Sequence, residues 1–347
     1  MTKSWVFYLF PQEHLDFDKM DCQTTQATYD AYLDQCVRNE ELGFEGVFFS
    51  EHHFGAHNLT PSPHLMIAAA AQRTSRLRFG VMGSVLPLHD ARRLAEECGM
   101  LDYLTHGRLE VGIGPGAGDT ESTRAGLDPE QIRPRYSSGA ELLVKYFAGG
   151  RFTHSDGIYN LNDVSIVPPM RQANPRVWVT AMSPQSIEWA AQHGFNVCTA
   201  WGPTEMVVYQ ANVYREAAAA AGRTADPSNF GVRRRVFVAP TDAEAQDIAD
   251  GVFDVVKAGI EQTGIEFESA DPMVKAMLMN PDDILIGSPD TVTERLVDQV
   301  RAIGAGHVMF LPDFKMFPPA DLVRCHDLIA KEISPVLESL SVGEPVA

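Results

Sequence analysis

Cysteine is scarce and scattered in this chain. The five residues, Cys22, Cys36, Cys98, Cys198 and Cys325, are odd in number and form no CxxC pair. That excludes a disulfide framework and a paired-cysteine zinc site, and it fits a reducing compartment. Basic charge is also short: 28 Lys and Arg against 46 Asp and Glu leave a net charge of −18. Such a surface argues against nucleic acid or an anionic membrane as the main partner and leaves a small molecule as the expected one. Long apolar runs are missing too. The N-terminal run Trp5–Phe10 has six residues, too short for a signal-peptide core. No uncharged apolar segment approaches the roughly 20 residues of a membrane span. A soluble, cytoplasmic protein is expected.

What is present is a regular alternation. Apolar segments at Trp5–Phe10, Gly46–Ser50, Leu77–Leu86, Leu109–Ile113, Val177–Ala181, Asn196–Ala200, Arg234–Ala239 and His307–Leu311 read as strands. Helical spacing follows nearly every one: Gln26–Leu42, Pro63–Arg73, Ala91–Leu104, Tyr136–Phe147, Gln185–His193, Glu205–Ala221, Ala243–Gln262, Asp290–Ile303 and Ala320–Glu332. Strands apolar on both faces belong to parallel sheets covered by helices. Eight such units predict a TIM (β/α)8 barrel with insertions after strands four and seven. A doubly wound open sheet is the other arrangement the pattern allows. The first insertion is expected to open as a polar loop, Gly114–Pro134, and to end in a hairpin near Gly150–Pro169; the second is the irregular stretch Thr263–Leu285. No linker divides residues 1–347, so a single domain is expected.

In such a barrel the chemistry sits at the carboxyl ends of the strands, and the residues there decide the reading. Strand two runs out as "VFFSEHHFGAHN", which places Glu51, His52 and His53 at one strand end. Adjacent side chains there diverge, so at least one imidazole should face the mouth. A cap or a satisfied core histidine is the structural alternative. Metal binding would draw on His57, His89 and Asp313 as well. No ligand spacing of the HExxH kind supports it, and no metal is expected. "GIGPGAG" places glycines at Gly112, Gly114, Gly116 and Gly118, which fails the GxGxxG spacing of a dinucleotide loop. It reads as turn chemistry, with close backbone approach to a planar ligand as a second role. In "MSPQS", Ser183 stands as an N-cap, Pro184 at the first helical position and Ser186 in the first turn. Such a helix start can hold an anion, or simply cap. Trp201 follows strand six, where it could stack on a ring or plug the barrel.

Four stretches together resemble the bacterial luciferase-like flavin monooxygenases: "GFEGVFFSEHHF", "VLPLHDARRLAEECGMLDYLTHGRLEVGIGPG", "PRVWVTAMSPQSIEWAAQHG" and "GSPDTVTERL". The resemblance runs in order over about Trp5–Leu337. It implies a barrel that takes reduced FMN from a separate reductase. Oxygen adds at flavin C4a, and the peroxide then oxidises a small organic substrate. It implies a catalytic role for His52 in proton management, with Glu51 orienting it or the neighbouring backbone and His53 secondary. It places Met82 and Gly83 at a non-prolyl cis peptide facing the flavin ring. It assigns Ser183 and Ser186 to the phosphate and Trp201 to the flavin's surroundings, and it implies a dimer built on the helices from Pro63 and Ala91. Three positions depart from luciferase: Met182 replaces a glutamate near the phosphate, Gly114 the reactive cysteine beside the flavin, and Pro115 an arginine. Arg124, Arg133 and Arg135 are candidates to replace that arginine. A deazaflavin-dependent hydride-transfer enzyme and a non-catalytic partner subunit are the alternatives on the same barrel. The substrate is not legible.

Overall fold

The computed structural model of the protein describes residues 1–11, 20–54, 58–116, 119–199, 202–251, 254, 280–313 and 317–341. Parallel strands alternate with helices along the chain: β1 (Lys3–Tyr8), β2 (Gly46–Phe49), β3 (Arg78–Val81), β4 (Leu109–Gly114), β5 (Val177–Thr180), β6 (Asn196–Thr199), β7 (Phe230–Val238) and β8 (His307–Leu311). The helices are α1 (Cys22–Leu42), α2 (Pro63–Ala71), α3 (Ala91–Leu104), α4 (Asp119–Arg124), α5 (Pro129–Ala148), α6 (Pro184–His193), α7 (Thr204–Ala220), α8 (Asp242–Ile248), α9 (Pro289–Ile303) and α10 (Pro319–Leu328). The strand order closes on itself. Among the described residues the fold is therefore a TIM-type barrel of eight parallel strands with helices, not an open sheet. None of the described helices is long and apolar enough to cross a membrane.

The residues group into two compact units. One comprises Gln12–Glu41 and Gly46–Ala181, and the other Met1–Pro11, Leu42–Glu45 and Met182–Ala347. In the first, β2 to β5 lie side by side, with Phe49 opposite Val81, Phe79 opposite Leu109 and Ile113 opposite Val179. Every residue of β2 and β4 is buried, as two covered faces require. A side chain at Gly80 would come within 2.3 Å of the Phe48 ring; the glycine lets that ring reach Trp178, 5.6 Å away and edge-on. Beside them Glu110 is fully buried. It accepts from Trp178 Nε1 at 2.7 Å and pairs with Arg78 and Arg176, which compensates its desolvation.

In the second unit β7 pairs with β6, with β8 and, through its later half, with a further short parallel strand, Ile284–Gly287. β7 begins at Phe230, four residues before the expected start at Arg234. The run Arg233–Arg235 looks too polar for a buried strand, yet all nine residues are buried. Partners account for it. Arg235 Nε pairs with Asp283 at 2.7 Å, Arg234 Nε donates to Gln299 Oε1 at 2.7 Å, and the Arg233 guanidinium lies over the Phe7 ring.

The first insertion differs from the expected loop. Gly114–Pro134 contains α4 and the first turns of α5, which starts seven residues before the expected Tyr136. Asp128 caps α5 by accepting from the Glu130 N–H at 3.0 Å, and Pro129 takes the first helical position, where its missing donor costs nothing. Pro134 lies within the helix. The hairpin is present, with Phe152–Ser155 antiparallel to Asn160–Val164. The later part of the expected helix Ala243–Gln262 and most of Thr263–Leu285 lie outside the described residues, as do His57 and Trp201.

Candidate active site

β2 delivers its last residues into a polar frame. Ser50 Oγ receives Asn58 Nδ2 at 3.0 Å and lies 3.1 Å from Thr60 Oγ1, while Asn58 Oδ1 accepts the Thr60 N–H at 2.9 Å. These bonds fold the segment from Asn58 back against the strand end. The Met82 N–H donates to the Phe49 carbonyl at 2.9 Å, which ties the end of β3 to the end of β2. The Met82–Gly83 peptide is cis. A side chain at Gly83 would lie 2.7 Å from the backbone of Ile113. The glycine is what allows that approach.

Glu51 is 4% exposed. Its Oε1 accepts from the Val85 N–H at 2.9 Å and lies 2.8 Å from His89 Nε2 and 3.1 Å from His53 Nε2. Burial alone would raise the pKa of this carboxyl. The donors from His53, His89 and Val85 outweigh it and bring the value to about 2. Burial also works against a charged His89, but the Glu51 carboxylate prevails and its pKa is raised. His64 sits next in line, its ring 6.3 Å from that of His89 and its Nε2 3.4 Å from Ser84 Oγ. Burial lowers its pKa to about 4, so it is neutral at neutral pH. His64 lies in "PHLMIAAAA", where it reads as one more core residue; no spacing in the sequence distinguishes it.

His52 takes a different partner from the one expected. Glu51 faces inward to His53 and His89, while His52 Nδ1 lies 2.7 Å from Glu121 Oε1 on α4. Of the two roles expected of Glu51, orienting His52 or the backbone nearby, it makes no bond to His52 but holds the Val85 N–H; consecutive side chains at a strand end diverge, and His52 meets a different carboxylate. Glu121 went unnoticed because its stretch read as a loop. Arg124, one turn further along α4, donates to the Phe54 carbonyl at 3.0 Å. Arg135 Nε donates to the Pro87 carbonyl at 3.0 Å, and Arg133 lies over the Tyr136 ring.

The glycines of "GIGPGAG" belong to a strand rather than a turn as far as Gly114. A side chain at Gly112 would meet the Val81 carbonyl oxygen at 1.6 Å, and one at Gly114 would meet Thr180 Oγ1 at 2.3 Å. Both are demanded by close strand packing.

In the other unit, Ser183 caps α6. Its Oγ accepts from the Ser186 N–H at 3.4 Å and lies 3.1 Å from Ser186 Oγ. Pro184 is the first helical residue, and Gly194 ends the helix in the left-handed region at φ 71°. Met182 is partly exposed, and its carbonyl accepts Gln210 Nε2 at 3.0 Å. Asp313, weighed as a metal ligand, accepts the Leu9 and Phe10 N–H groups and clamps the end of β1 instead. Among the described residues no three His, Cys, Asp or Glu side chains come together as a metal-holding group.

The profile described as luciferase-like monooxygenase matches residues 14–307. The chain is 25% identical over 363 aligned residues to 3,6-diketocamphane 1,6-monooxygenase of Pseudomonas putida, covering 90% of this chain and 94% of that one. It is 32% identical over 185 residues to the oxygenase component of the flavin-dependent trigonelline monooxygenase of Acinetobacter baylyi, covering 51% and 50%. Among solved structures, the oxygenating constituent of 3,6-diketocamphane monooxygenase from the CAM plasmid of Pseudomonas putida, a type II Baeyer-Villiger monooxygenase in complex with FMN, superposes with a TM-score of 0.77. That match has 24% identity over 96% of this chain and 98% of that one. The chain belongs to the luciferase-like monooxygenases and is an enzyme of the flavin-dependent monooxygenase class.

Proposed function

We propose that the 347-residue chain acts as a single catalytic domain, the oxygenase component of a two-component system. It takes reduced FMN from a separate reductase and uses O2 to oxidise a small organic substrate. The observation that carries this reading is the end of β2, where His52 and His53 stand with separate carboxylate partners and are joined through the Phe49 carbonyl to the cis Met82–Gly83 peptide. The named relatives support it, being oxygenase constituents or flavin-dependent monooxygenases, one of them in complex with FMN.

The residues present fit the cofactor. The His52 and His53 side chains keep 26% and 18% of their surface, whereas the Glu51 side chain beneath is fully covered. The imidazoles can exchange protons with a bound group while the counter-charge stays fixed. When bound, reduced flavin supplies the electrons that activate oxygen. Of the chain's own residues, His52 gives and takes the proton, and Glu51 fixes His53 and His89. Met82 and Gly83 would meet the ring, and Gly114 lies at the carboxyl end of the next strand. From the resemblance, Ser183 and Ser186 at the start of α6 are proposed for the phosphate; Met182 precedes them. Trp201 remains proposed near the flavin from the resemblance alone. Reduced FMN should bind far more tightly than NADH in anaerobic calorimetry, and supplying it enzymatically should give substrate-dependent oxygen uptake across a substrate panel. Micromolar NADH binding with no flavin affinity, or deazaflavin binding without oxygen uptake, would sink the proposal.

The enzyme is further proposed to be a homodimer. α2 and α3 leave Leu65 71%, Met100 56%, Tyr103 47% and Leu104 43% exposed, and the small Ala68 and Ala69 follow Leu65 on α2. Apolar surface of this kind on paired helices marks an interaction face. Sedimentation at low micromolar concentration should show a species of twice the 38.2 kDa chain mass. Leu65→Glu with Leu104→Glu should shift it to monomer. A wild-type protein that sediments only as monomer would remove the dimer.

A further inference from the structure

We infer that Glu121 is the positioning residue of His52: its carboxylate holds the proton on Nδ1 and so keeps Nε2 as the nitrogen that takes and returns protons in the reaction. The inference rests on the monooxygenase reading for the reaction, and on geometry alone for the tautomer.

Four observations carry it. First, the Nδ1–Oε1 separation of 2.7 Å is in the range of charge-assisted bonds. Second, the carboxylate next to His52 in sequence is committed elsewhere: Glu51 Oε1 is shared by Val85, His53 and His89. Third, the Glu121 side chain is only 16% exposed, and its Oε2 is buried without a hydrogen-bond partner among the described residues. A carboxylate in that position needs a donor for the oxygen it does engage, and a neutral imidazole meets the need by carrying its hydrogen on Nδ1. Fourth, α4 is held against the same strand end by a second bond. Glu121 and Arg124 stand three residues apart, on one helix face. They grip His52 and the Phe54 carbonyl respectively, while Ser122 between them is buried. The helix that carries the carboxylate is thus registered to the segment that carries the imidazole.

The consequence is chemical. A neutral imidazole has one hydrogen and one lone pair, and the partner of one nitrogen decides which nitrogen has which. With Nδ1–H committed to Glu121, the lone pair is on Nε2 in the large majority of molecules. Without Glu121 that bond no longer favours the Nδ1–H form, and a larger fraction of molecules would be incompetent at each encounter.

The test uses full-length protein with nitrogen-15-labelled histidine. His52 is identified by the signal missing from His52→Gln. At pH 9, where a free imidazole is neutral, the two ring nitrogens report the tautomer ratio directly. In the wild type the Nδ1–H form should outnumber the Nε2–H form by about tenfold or more, the worth of a hydrogen bond to a charged acceptor. Glu121→Leu, which keeps bulk and removes the acceptor, should lower that ratio at least severalfold. Glu121→Gln, which keeps an acceptor oxygen, should restore an Nδ1–H majority. A wild-type spectrum dominated by Nε2–H overturns the inference without recourse to any variant, as does a ratio that Glu121→Leu leaves unchanged. In turnover, Glu121→Leu should lower kcat severalfold at unchanged substrate KM, and Glu121→Gln should recover most of it. A changed tautomer ratio with wild-type kcat would overturn the positioning role. Absence of oxygen uptake by the wild type would overturn the monooxygenase reading and the reaction role with it, while the spectrum still decided the hydrogen bond.

Discussion

His52→Ala keeps its fold and most of its flavin affinity and loses coupled oxygenation by about 10²–10⁴-fold, the usual worth of a general acid–base group. The geometry sets both halves of this expectation. The His52 side chain is one-quarter exposed and bonds through Nδ1 to a carboxylate on a neighbouring helix; removing that bond costs about 1–2 kcal/mol of stability. The frame that shapes the strand end does not pass through it. Ser50, Asn58 and Thr60 hold the segment beyond, and Glu51 holds His53 and His89. Oxygen should still be consumed, with a larger share released as hydrogen peroxide. Melting temperature, oxygen uptake, product and peroxide are to be measured on one preparation. A variant that melts lower but keeps wild-type coupling would leave His52 a structural residue. His53→Ala makes the contrast: its partner Glu51 is buried, so stability falls more and coupling less.

The fold was legible because it depends on features that repeat. Eight apolar segments, nearly every one followed by helical spacing, suffice for a parallel barrel, and each overlaps one of its strands. Both misses involve residue types that usually break elements. Phe230–Arg233 went unread as the start of β7: three arginines follow one another there, and nothing local announces Asp283 and Gln299 as their partners. Pro129 and Pro134 hid the first turns of α5, although Asp128 followed by proline is itself a helix-start signal. The site was legible only along the strand. Glu51, His52 and His53 stand out as a run, and the bond between Met82 and Gly83 is cis where the family resemblance placed it. The pairing among the side chains was not legible, since His64, His89 and Glu121 reach the strand end from three separate elements. Spacing can show that two neighbours point apart; it cannot show what each will meet.

Glu51→Ala should be among the most destabilising single changes at this site, and its pH signature separates it from a simple cavity. The carboxylate is 4% exposed and takes three donors on one oxygen. Removing it strands the Val85 N–H and two imidazoles, one of which it had helped to charge. Breaking a buried, hydrogen-bonded ion pair by deleting one partner costs about 3–5 kcal/mol. At an unfolding entropy of about 2.1 cal/mol/K per residue, that lowers Tm by about 4–7 °C for a chain of this length. The signs follow from linkage. Glu51 has its folded pKa depressed from 4.5 to about 2, so its contribution is fully present above about 4.5 and is lost as pH falls towards 2. His89 has its folded pKa raised from 6.5, so its contribution is fully present below 6.5 and fades as pH rises through the raised value. The pair therefore stabilises most between about pH 4.5 and 6.5. His64 opposes it there: with a folded pKa lowered to about 4, it costs stability progressively as pH falls from 6.5 to 4. Glu51→Gln keeps the shape and an acceptor for Val85 but removes the charge. It should cost less than Glu51→Ala at pH 8 and forfeit the advantage between pH 4.5 and 6.5, leaving the His64 slope uncovered. Denaturant midpoints at half-unit steps from pH 4 to 8 test this. If Glu51→Gln runs parallel to wild type over the whole range, the carboxylate is not charged in the folded protein, and the His53–Glu51–His89 frame is held by neutral hydrogen bonds alone.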